Sequence, residues 1–119
     1  MNNKKLGNLG ELIAVFYLKL KGYKILERNF LVKGGELDII AEKNKTTVIV
    51  EVKTRKDLHF GDPEDAVNYY KKKNIIYAAK NYIKRSGRED NRIRFDVVGI
   101  VFKPFKLKHI KDAFFYDDI

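Results

Sequence analysis

The sequence predicts a mixed α/β domain in which a central sheet is flanked by helices. Three observations lead to this prediction. The chain has 119 residues, enough for one hydrophobic core, and 45% of them are hydrophobic. Its predicted elements follow the order helix, three-strand meander, helix, strand and tail, which suits a sheet covered by helices. We therefore treat residues 1–119 as a single domain.

The first element is a helix over residues 6–20, which Gly22 ends. One apolar stripe of this helix consists of Leu9, Leu12, Ile13, Phe16 and Leu20. A second stripe, predicted to face inward, consists of Glu11, Ala14, Val15 and Leu18.

Three strands are predicted to follow as a meander. The first covers residues 23–32, and a tight turn at Lys33-Gly34-Gly35 leads to the second, over residues 36–42. The third covers residues 46–54 and is rich in β-branched residues, which suit a sheet. Residues 56–61 are predicted to form a loop.

The second helix is predicted over residues 64–85, with Asp62 as N-cap and Pro63 in its first turn. Its inner stripe consists of Lys71, Ile75, Ala78 and Tyr82, and its solvent-facing stripe of Lys73, Lys80 and Lys84. Four tyrosines of this region could suggest base stacking, but their helical spacing favours packing; they are Tyr69, Tyr70, Tyr77 and Tyr82.

The last elements are a strand over residues 93–102, ended by Pro104, and an edge segment over residues 107–116. Arg94 and Asp96 lie on one face of the former strand, where a structural ion pair explains them. His59 is predicted to lie on the surface of the loop before the second helix.

Composition narrows the class of function. The chain lacks cysteine, which excludes disulfides, zinc ribbons and thiol catalysis. It has no apolar run long enough to span a membrane and no apolar signal segment at its N-terminus, so we expect a cytoplasmic protein. A formal net charge of +9 favours a polyanionic partner, nucleic acid first, although a merely solvated basic surface has the same composition.

The chemistry is predicted to lie on the hairpin formed by the second and third strands. If its turn centres on Asn44 and Lys45, antiparallel pairing places Asp38 directly opposite Glu51. Lys53 lies two residues beyond Glu51 and points to the same side. Opposed carboxylates repel unless a cation lies between them, and Mg²⁺ is held by one or two carboxylates together with substrate phosphate.

A solvent-exposed hairpin with one Glu–Lys pair would show the same motif. The apolar pattern argues against it, because Ile40 and Ile49 share the face of the carboxylates. The opposite face carries Leu37, Ile39, Val48, Val50 and Val52. Charged side chains within a sheet that is covered on both faces cost free energy unless a partner charge or a ligand compensates them.

The motifs Gly35-Glu36-Leu37-Asp38 and Val50-Glu51-Val52-Lys53 resemble the signature of the PD-(D/E)XK nuclease superfamily, whose fold is the restriction endonuclease-like core. Leu37 stands where that signature has a loosely held proline. More narrowly, residues 7–100 resemble the YraN-like family of small bacterial proteins. An endonuclease activity has been proposed for this family because it is similar to Holliday junction resolvases. Further stretches that carry the resemblance are Gly10-Glu11, Arg28-Asn29, Thr54-Arg55, Phe60-Gly61 with Pro63, Lys71 and residues 94–98.

The resemblance implies that Asp38 and Glu51 bind Mg²⁺ or Mn²⁺, with the Val52 carbonyl as a third ligand. Lys53 would be the catalytic lysine, and Glu11 would complete the metal site from the first helix. Asn8 and Glu11 also fit a capping box, a purely structural role. Both interpretations of Glu11 stay open.

Several other polar residues have two interpretations. The resemblance implies that Lys71 lies near the site and contacts phosphate, but a lysine that extends past apolar neighbours to solvent fits equally well. Glu36 could be a further ligand, although a charge at the hairpin end explains it better. Arg28 and Arg55 are candidates for binding backbone phosphates, and Arg55 is the better one because it follows Lys53.

We therefore expect a metal-dependent DNA endonuclease that acts on branched or flapped DNA. The alternative is a nucleic-acid-binding accessory protein that keeps the nuclease fold without catalysis. A hydrolase of RNA or small nucleotides is a third possibility, since no sequence feature separates RNA from DNA. A homodimer would suit symmetric cutting of a junction.

Overall fold

A five-stranded sheet lies between two helices in the computed structural model, which describes residues 2–59 and 61–118. Phe60, part of one motif named above, lies outside this range. The elements in chain order are α1 (Asn3–Leu20), β1 (Lys24–Val32), β2 (Gly35–Lys43), β3 (Thr46–Asp57), a 3-10 turn (Pro63–Ala66), α2 (Tyr69–Ser86), β4 (Arg92–Lys103), β5 (Phe105–Phe114) and a second 3-10 turn (Tyr116–Asp118). Neither α1 nor α2 is long and apolar enough to cross a membrane.

The strand order is β1-β2-β3-β4-β5. β3 and β4 run parallel, whereas the other neighbouring strands pair antiparallel. The parallel pair requires a crossover connection, which α2 supplies. This mixed sheet flanked by helices confirms the predicted α/β fold and is consistent with a restriction endonuclease-like core.

The predicted register of the β2–β3 hairpin is confirmed. Paired residues run from Lys43 opposite Thr46 to Ile39 opposite Val50. The turn residues Asn44 and Lys45 have φ values of 51° and 60°, as a two-residue hairpin turn requires. The ladder ends one residue short of Asp38 and Glu51, and the candidate site lies at this end.

Both faces of the sheet are covered by apolar packing. On one face, Ala14, Val15 and Leu18 of α1 form a core with strand residues that include Ile39, Val48 and Val50. On the other face, α2 packs against strand residues that include Leu37, Ile40 and Ile49. The sheet is thus a buried middle layer, as its apolar strands predicted.

The prediction that Leu37 shares a face with Ile39 is wrong, because Leu37 lies on the α2 side of the sheet. Two residues apart on a regular strand share a face, so β2 changes its orientation at Asp38. Two features accompany this change: the β2–β3 ladder ends at Ile39, and Asn29 on neighbouring β1 has a left-handed φ of 53°. Asp38 therefore lies at the position of β2 where the alternation of side chains between the two faces of the sheet is broken.

Only the second apolar stripe of α1 is buried. The first stripe is largely exposed, with Phe16 66% and Leu20 87% accessible. Steric fit explains why the second stripe is the buried one, since a Cβ at Gly10 would lie 1.9 Å from Thr54 Cγ2. The sheet approaches so closely that only the face carrying Gly10 and Ala14 fits against it. This outcome confirms the prediction that the second stripe faces inward.

Both helices begin at positions that the sequence did not indicate. α1 is capped by Asn2, whose Oδ1 accepts the Lys5 N–H at 2.8 Å, so Asn8 and Glu11 form no capping box. Residues 64–85 do not form one helix. Pro63–Ala66 is a separate 3-10 turn, and Val67 is extended and buried, so α2 begins after Asn68.

Further differences concern a strand end and the tyrosines. β3 continues to Asp57, beyond the predicted end, because parallel pairing with β4 extends to Asp57 opposite Lys103. Of the four tyrosines expected to pack, only Tyr82 is buried; Tyr69, Tyr70 and Tyr77 are exposed. These three side chains therefore contribute to the surface of α2 and not to the core.

Close approach of α2 to β2 at Gly35 is testable. A Cβ at Gly35 would lie 2.6 Å from the Asn74 carbonyl oxygen, and this oxygen belongs to the helix backbone. We expect Gly35→Ala to lower the free energy of unfolding by about 1–3 kcal/mol, because α2 must shift. Urea denaturation measures this effect.

The matched control is Gly7→Ala, because no atom lies within 4 Å of a Cβ at that helical position. Alanine there should raise stability by up to about 1 kcal/mol through its better helix propensity. Equal effects of the two substitutions would contradict the close approach at Gly35.

Candidate active site

Glu51 is the centre of the candidate site. It lies on the α2 side of β3, and its side chain is 3% exposed. Its Oε1 lies 3.2 Å from Lys71 Nζ and 3.8 Å from Lys53 Nζ. Its Oε2 is buried and has no hydrogen-bond partner among the described residues. A buried carboxylate oxygen without a partner is costly and therefore needs a physical explanation.

The electrostatics of the site follow from this burial. Burial raises the pKa of Glu51 to about 8, and the charge of Asp38 contributes to the same shift. Lys71 and Lys53 oppose it without cancelling it. A carboxylate whose pKa is raised by burial and by a second carboxylate is typical of a functional site, because a cation between the two would relieve both costs.

Asp38 lies at the fork where β2 and β3 separate. Its Oδ2 accepts a hydrogen bond from the Val52 N–H at 2.9 Å, just beyond the last backbone pair of the hairpin. The carboxylate thereby bridges the two strands at the point where their ladder ends. Asp38 is close enough to Glu51 to influence its ionisation, but the two residues are not paired in the ladder, because Asp38 lies in the fork between the strands.

Lys53 and Lys71 approach Glu51 from two elements. Lys53 comes from β3 itself, as the alternation along the strand predicted. Lys71 comes from the first turn of α2 and lies beside Glu51, while its predicted contact with phosphate stays a prediction. Burial opposes the charge of Lys71, but Glu51 raises its pKa, with smaller contributions from Asp38 and Glu36. Lys71 therefore stays charged beside Glu51.

Glu11 lies beside the site but is bound elsewhere. Its Oε1 accepts a hydrogen bond from Arg28 Nη2 at 3.1 Å. Burial raises the pKa of Glu11, and the charge of Asp38 adds to the shift, so the two carboxylates are electrostatically coupled. Arg28, predicted to bind phosphate, is engaged in this ion pair.

The donor set fits a hard divalent cation. Asp38 and Glu51 supply two carboxylates, one of them with an unpartnered oxygen. Mg²⁺ needs no more than one or two carboxylates when substrate phosphate and water complete its octahedron. Within residues 2–59 and 61–118, no three Asp, Glu, His or Cys side chains form a closed metal-binding group. The ligand roles of Asp38, Glu51, Glu11 and the Val52 carbonyl all stay predictions.

Arg55 lies further along β3 at a separate cavity of about 430 Å³. The cavity is lined by Asn3, Leu6, Thr54, Arg55, Lys56, Asp57 and His59. Arg55 Nε is buried and has no hydrogen-bond partner in the described part of the chain. The position suits the predicted contact with a phosphate two residues beyond Lys53.

A second polar cluster, which sequence reasoning found only in part, lies under α1. The predicted ion pair of Arg94 and Asp96 is confirmed at 2.8 Å. Asp96 is fully buried and also binds His109 Nε2 at 2.7 Å, while His109 Nδ1 binds the Tyr17 hydroxyl at 2.9 Å. No local signal connects His109 with Asp96, because only the pairing of β4 with β5 brings them together.

Comparisons with known proteins agree on one family. Residues 10–100 match the model of the uncharacterised protein family UPF0102. A UPF0102 protein of Syntrophomonas wolfei is 49% identical, over 94% of this chain and 99% of its own length. A UPF0102 protein of Alkaliphilus oremlandii is 47% identical, over 94% of this chain and 99% of its own length. A UPF0102 protein of Clostridioides difficile is 44% identical, over 96% of this chain and 100% of its own length.

The raised pKa of Glu51 predicts a pH dependence of stability. Because the folded-state pKa is about 8 and that of an unfolded glutamate is about 4.3, folding takes up a proton between these values. Without divalent cations, the free energy of unfolding should therefore fall as the pH rises from about 5 to 8. Glu51→Gln should remove this decline and be the more stable protein at about pH 8, by about 1 kcal/mol or more.

Urea denaturation in EDTA at both pH values measures this difference. Glu36→Gln is the matched control, since Glu36 is an exposed carboxylate of the same hairpin. A decline of equal slope in Glu51→Gln and in the wild type would contradict the assignment.

Asp96 predicts the opposite pH dependence. Burial opposes its ionisation, but hydrogen bonds from His109 and Arg94 outweigh burial and lower the pKa of Asp96. Its stabilising contribution is therefore present above about pH 4 and lost as the pH falls below that value. Asp96→Asn should lower the free energy of unfolding by about 3 kcal/mol at neutral pH and by less in acid. Asp90→Asn in the exposed turn should change neither value, and equal losses at both pH values would refute the role.

Proposed function

The chain belongs to the uncharacterised protein family UPF0102, and we propose that it is a metal-dependent DNA endonuclease of the PD-(D/E)XK type. The observation that carries the proposal is the buried Glu51 carboxylate, with one oxygen unpartnered and Asp38 and Lys53 beside it. A structural ion pair would use both oxygens of such a buried group. The set of two carboxylates and a lysine suits hydrolysis of a phosphodiester.

Asp38 and Glu51 would hold Mg²⁺ or Mn²⁺. The ion, when bound, supplies Lewis-acid polarisation of the phosphate and lowers the pKa of a bound water. Glu51 must be ionised for this role, and the two lysines favour its ionised form. Asp38 is held in place by the Val52 N–H, so one carboxylate is oriented before any ligand arrives.

Lys53 would act on the reacting phosphate. Its ammonium group lies 3.8 Å from Glu51 Oε1, longer than a hydrogen bond, and is partly exposed, so it can reach a phosphate oxygen or an attacking water. Lys71, at 3.2 Å, is bound more closely to Glu51 and would balance the charge of the carboxylates. The two lysines thus have different positions and, by this proposal, different tasks.

The second candidate function is an accessory protein that binds nucleic acid without cutting it. The pairing of Glu11 with Arg28 favours this candidate, because it draws one carboxylate away from Asp38 and Glu51. Of the two candidates, the enzyme accounts better for the unpartnered oxygen of Glu51. We keep DNA, including branched DNA, as the proposed partner of both.

Cleavage of a labelled substrate panel tests the proposal. The panel contains a four-way junction, a flap, duplex DNA, single-stranded DNA and RNA, each with Mg²⁺ and then with Mn²⁺. Lys53→Ala should lower the cleavage rate by about 100-fold or more while DNA binding is kept, because a charge that acts on the transition state is removed. Glu51→Gln should abolish cleavage and weaken Mg²⁺ binding in calorimetry.

Lys45→Ala is the matched control, since Lys45 is an exposed lysine in the turn of the same hairpin. It should cut at the wild-type rate. Cleavage by Lys53→Ala at that rate would refute the role of Lys53. Binding without cleavage by the wild type on every substrate would favour the accessory protein. Light scattering on the junction complex would show whether two copies bind one junction.

A further inference from the structure

The outer face of α2 carries lysine residues and no acidic residue. The helix contains six lysine and arginine residues and no aspartate or glutamate. Lys73, Lys80 and Lys84 lie on its solvent-exposed side, as the periodicity predicted. A helix face without acidic residues is complementary to a polyanion.

Exposed tyrosines interrupt this cationic face. Tyr70 is 74% and Tyr77 is 52% accessible, although large aromatic side chains usually gain free energy by burial. The two residues are seven positions apart, nearly two helical turns, so they lie on one line about 10.5 Å apart along the axis. Tyr69 contacts Tyr70 edge-to-face at a centroid distance of 5.5 Å and orients its ring.

Tyr70 and Tyr77 are each connected to an element of the candidate active site. Tyr70 immediately precedes Lys71, whose Nζ is 3.2 Å from Glu51 Oε1. The ring of Tyr77 lies over the β1–β2 turn, 3.7 Å from where a Cβ of Gly34 would stand. This turn leads directly into β2, which carries Asp38. One end of the line of tyrosines therefore lies one residue from Lys71, which contacts Glu51.

We propose that this face of α2 binds unpaired nucleotides, with bases stacked on Tyr70 and Tyr77 and phosphates bound by Lys73 and Lys84. Base faces are available for stacking in a single strand, whereas in a duplex they are already stacked on one another. The spacing of about 10.5 Å is about three times the 3.4 Å rise of a stacked strand, so a short single-stranded segment can reach both rings.

The inference rests on the proposed function, since it assigns to the proposed nuclease a substrate that has an unpaired strand beside the cleavage site. Binding itself requires neither metal nor catalysis. The two proposals can therefore fail separately.

Fluorescence anisotropy in EDTA tests the inference, with a labelled oligothymidylate and a hairpin duplex as probes. Tyr70→Ala and Tyr77→Ala should each weaken binding of the oligothymidylate about 5- to 150-fold, the usual effect of removing one stacked base contact. Binding of the duplex should change less than about twofold, because its phosphate contacts remain. Tyr70→Phe and Tyr77→Phe should keep the wild-type affinity.

Phe16→Ala is the matched control, because Phe16 is an exposed aromatic residue on α1 and should not affect either probe. A second readout is intrinsic tyrosine fluorescence, which is free of tryptophan in this chain and should be quenched by the stacked oligothymidylate. Loss of that quenching in the alanine variants would support the inference.

Two results would overturn the inference. One is wild-type affinity of both alanine variants for the oligothymidylate, and the other is an equal loss of affinity for single strand and duplex. Failure of the wild type to cut any DNA would contradict the nuclease alone, while selective loss of single-strand binding in the tyrosine variants would still support this face of α2.

Discussion

The site depends on the cost of burying the carboxylate of Glu51 inside a layered apolar fold. β3 is the central strand of the sheet, and its neighbours on the α2 side are hydrophobic. Ionisation there is unfavourable unless positive charge is close, which explains why Lys53 and Lys71 converge on one oxygen. The other oxygen has no such partner in the described part of the chain, and this imbalance gives the site its proposed affinity for a cation.

Two backbone features bring the partners of Glu51 into position. β2 turns over at Asp38 and leaves the ladder with β3, so that the carboxylate lies in the fork between the strands. Gly35, at the start of the same strand, has no side chain to hold off α2, and the helix can therefore bring Lys71 against the sheet. β2 thus positions both partners of Glu51. Its irregular backbone at Asp38 positions the carboxylate, and the absence of a Cβ at Gly35 allows α2 to bring Lys71 close.

Each helix has one face that serves the core and another that lies on the surface. The inner face of α2 reaches the site through Lys71, while its outer face exposes Tyr70, Tyr77 and lysines. By our proposals, the helix therefore connects charge balance at the reacting phosphate with binding of the neighbouring nucleotides. The cluster of Asp96 and His109 under α1 has a different task, since it joins β4, β5 and α1 by hydrogen bonds in the opposite layer.

The sequence by itself determined the order of the elements, the register of the β2–β3 hairpin and the shared face of Glu51 and Lys53. These features depend on neighbours within a few residues, through the turn at Asn44 and Lys45 and the alternation along a strand. Only the tertiary structure decided that the first apolar stripe of α1 is exposed, because both stripes fit the helical period and the close approach at Gly10 admits only the second. Only it paired Glu11 with Arg28 and exposed the tyrosines of α2, since such contacts depend on how distant elements pack and leave no local pattern.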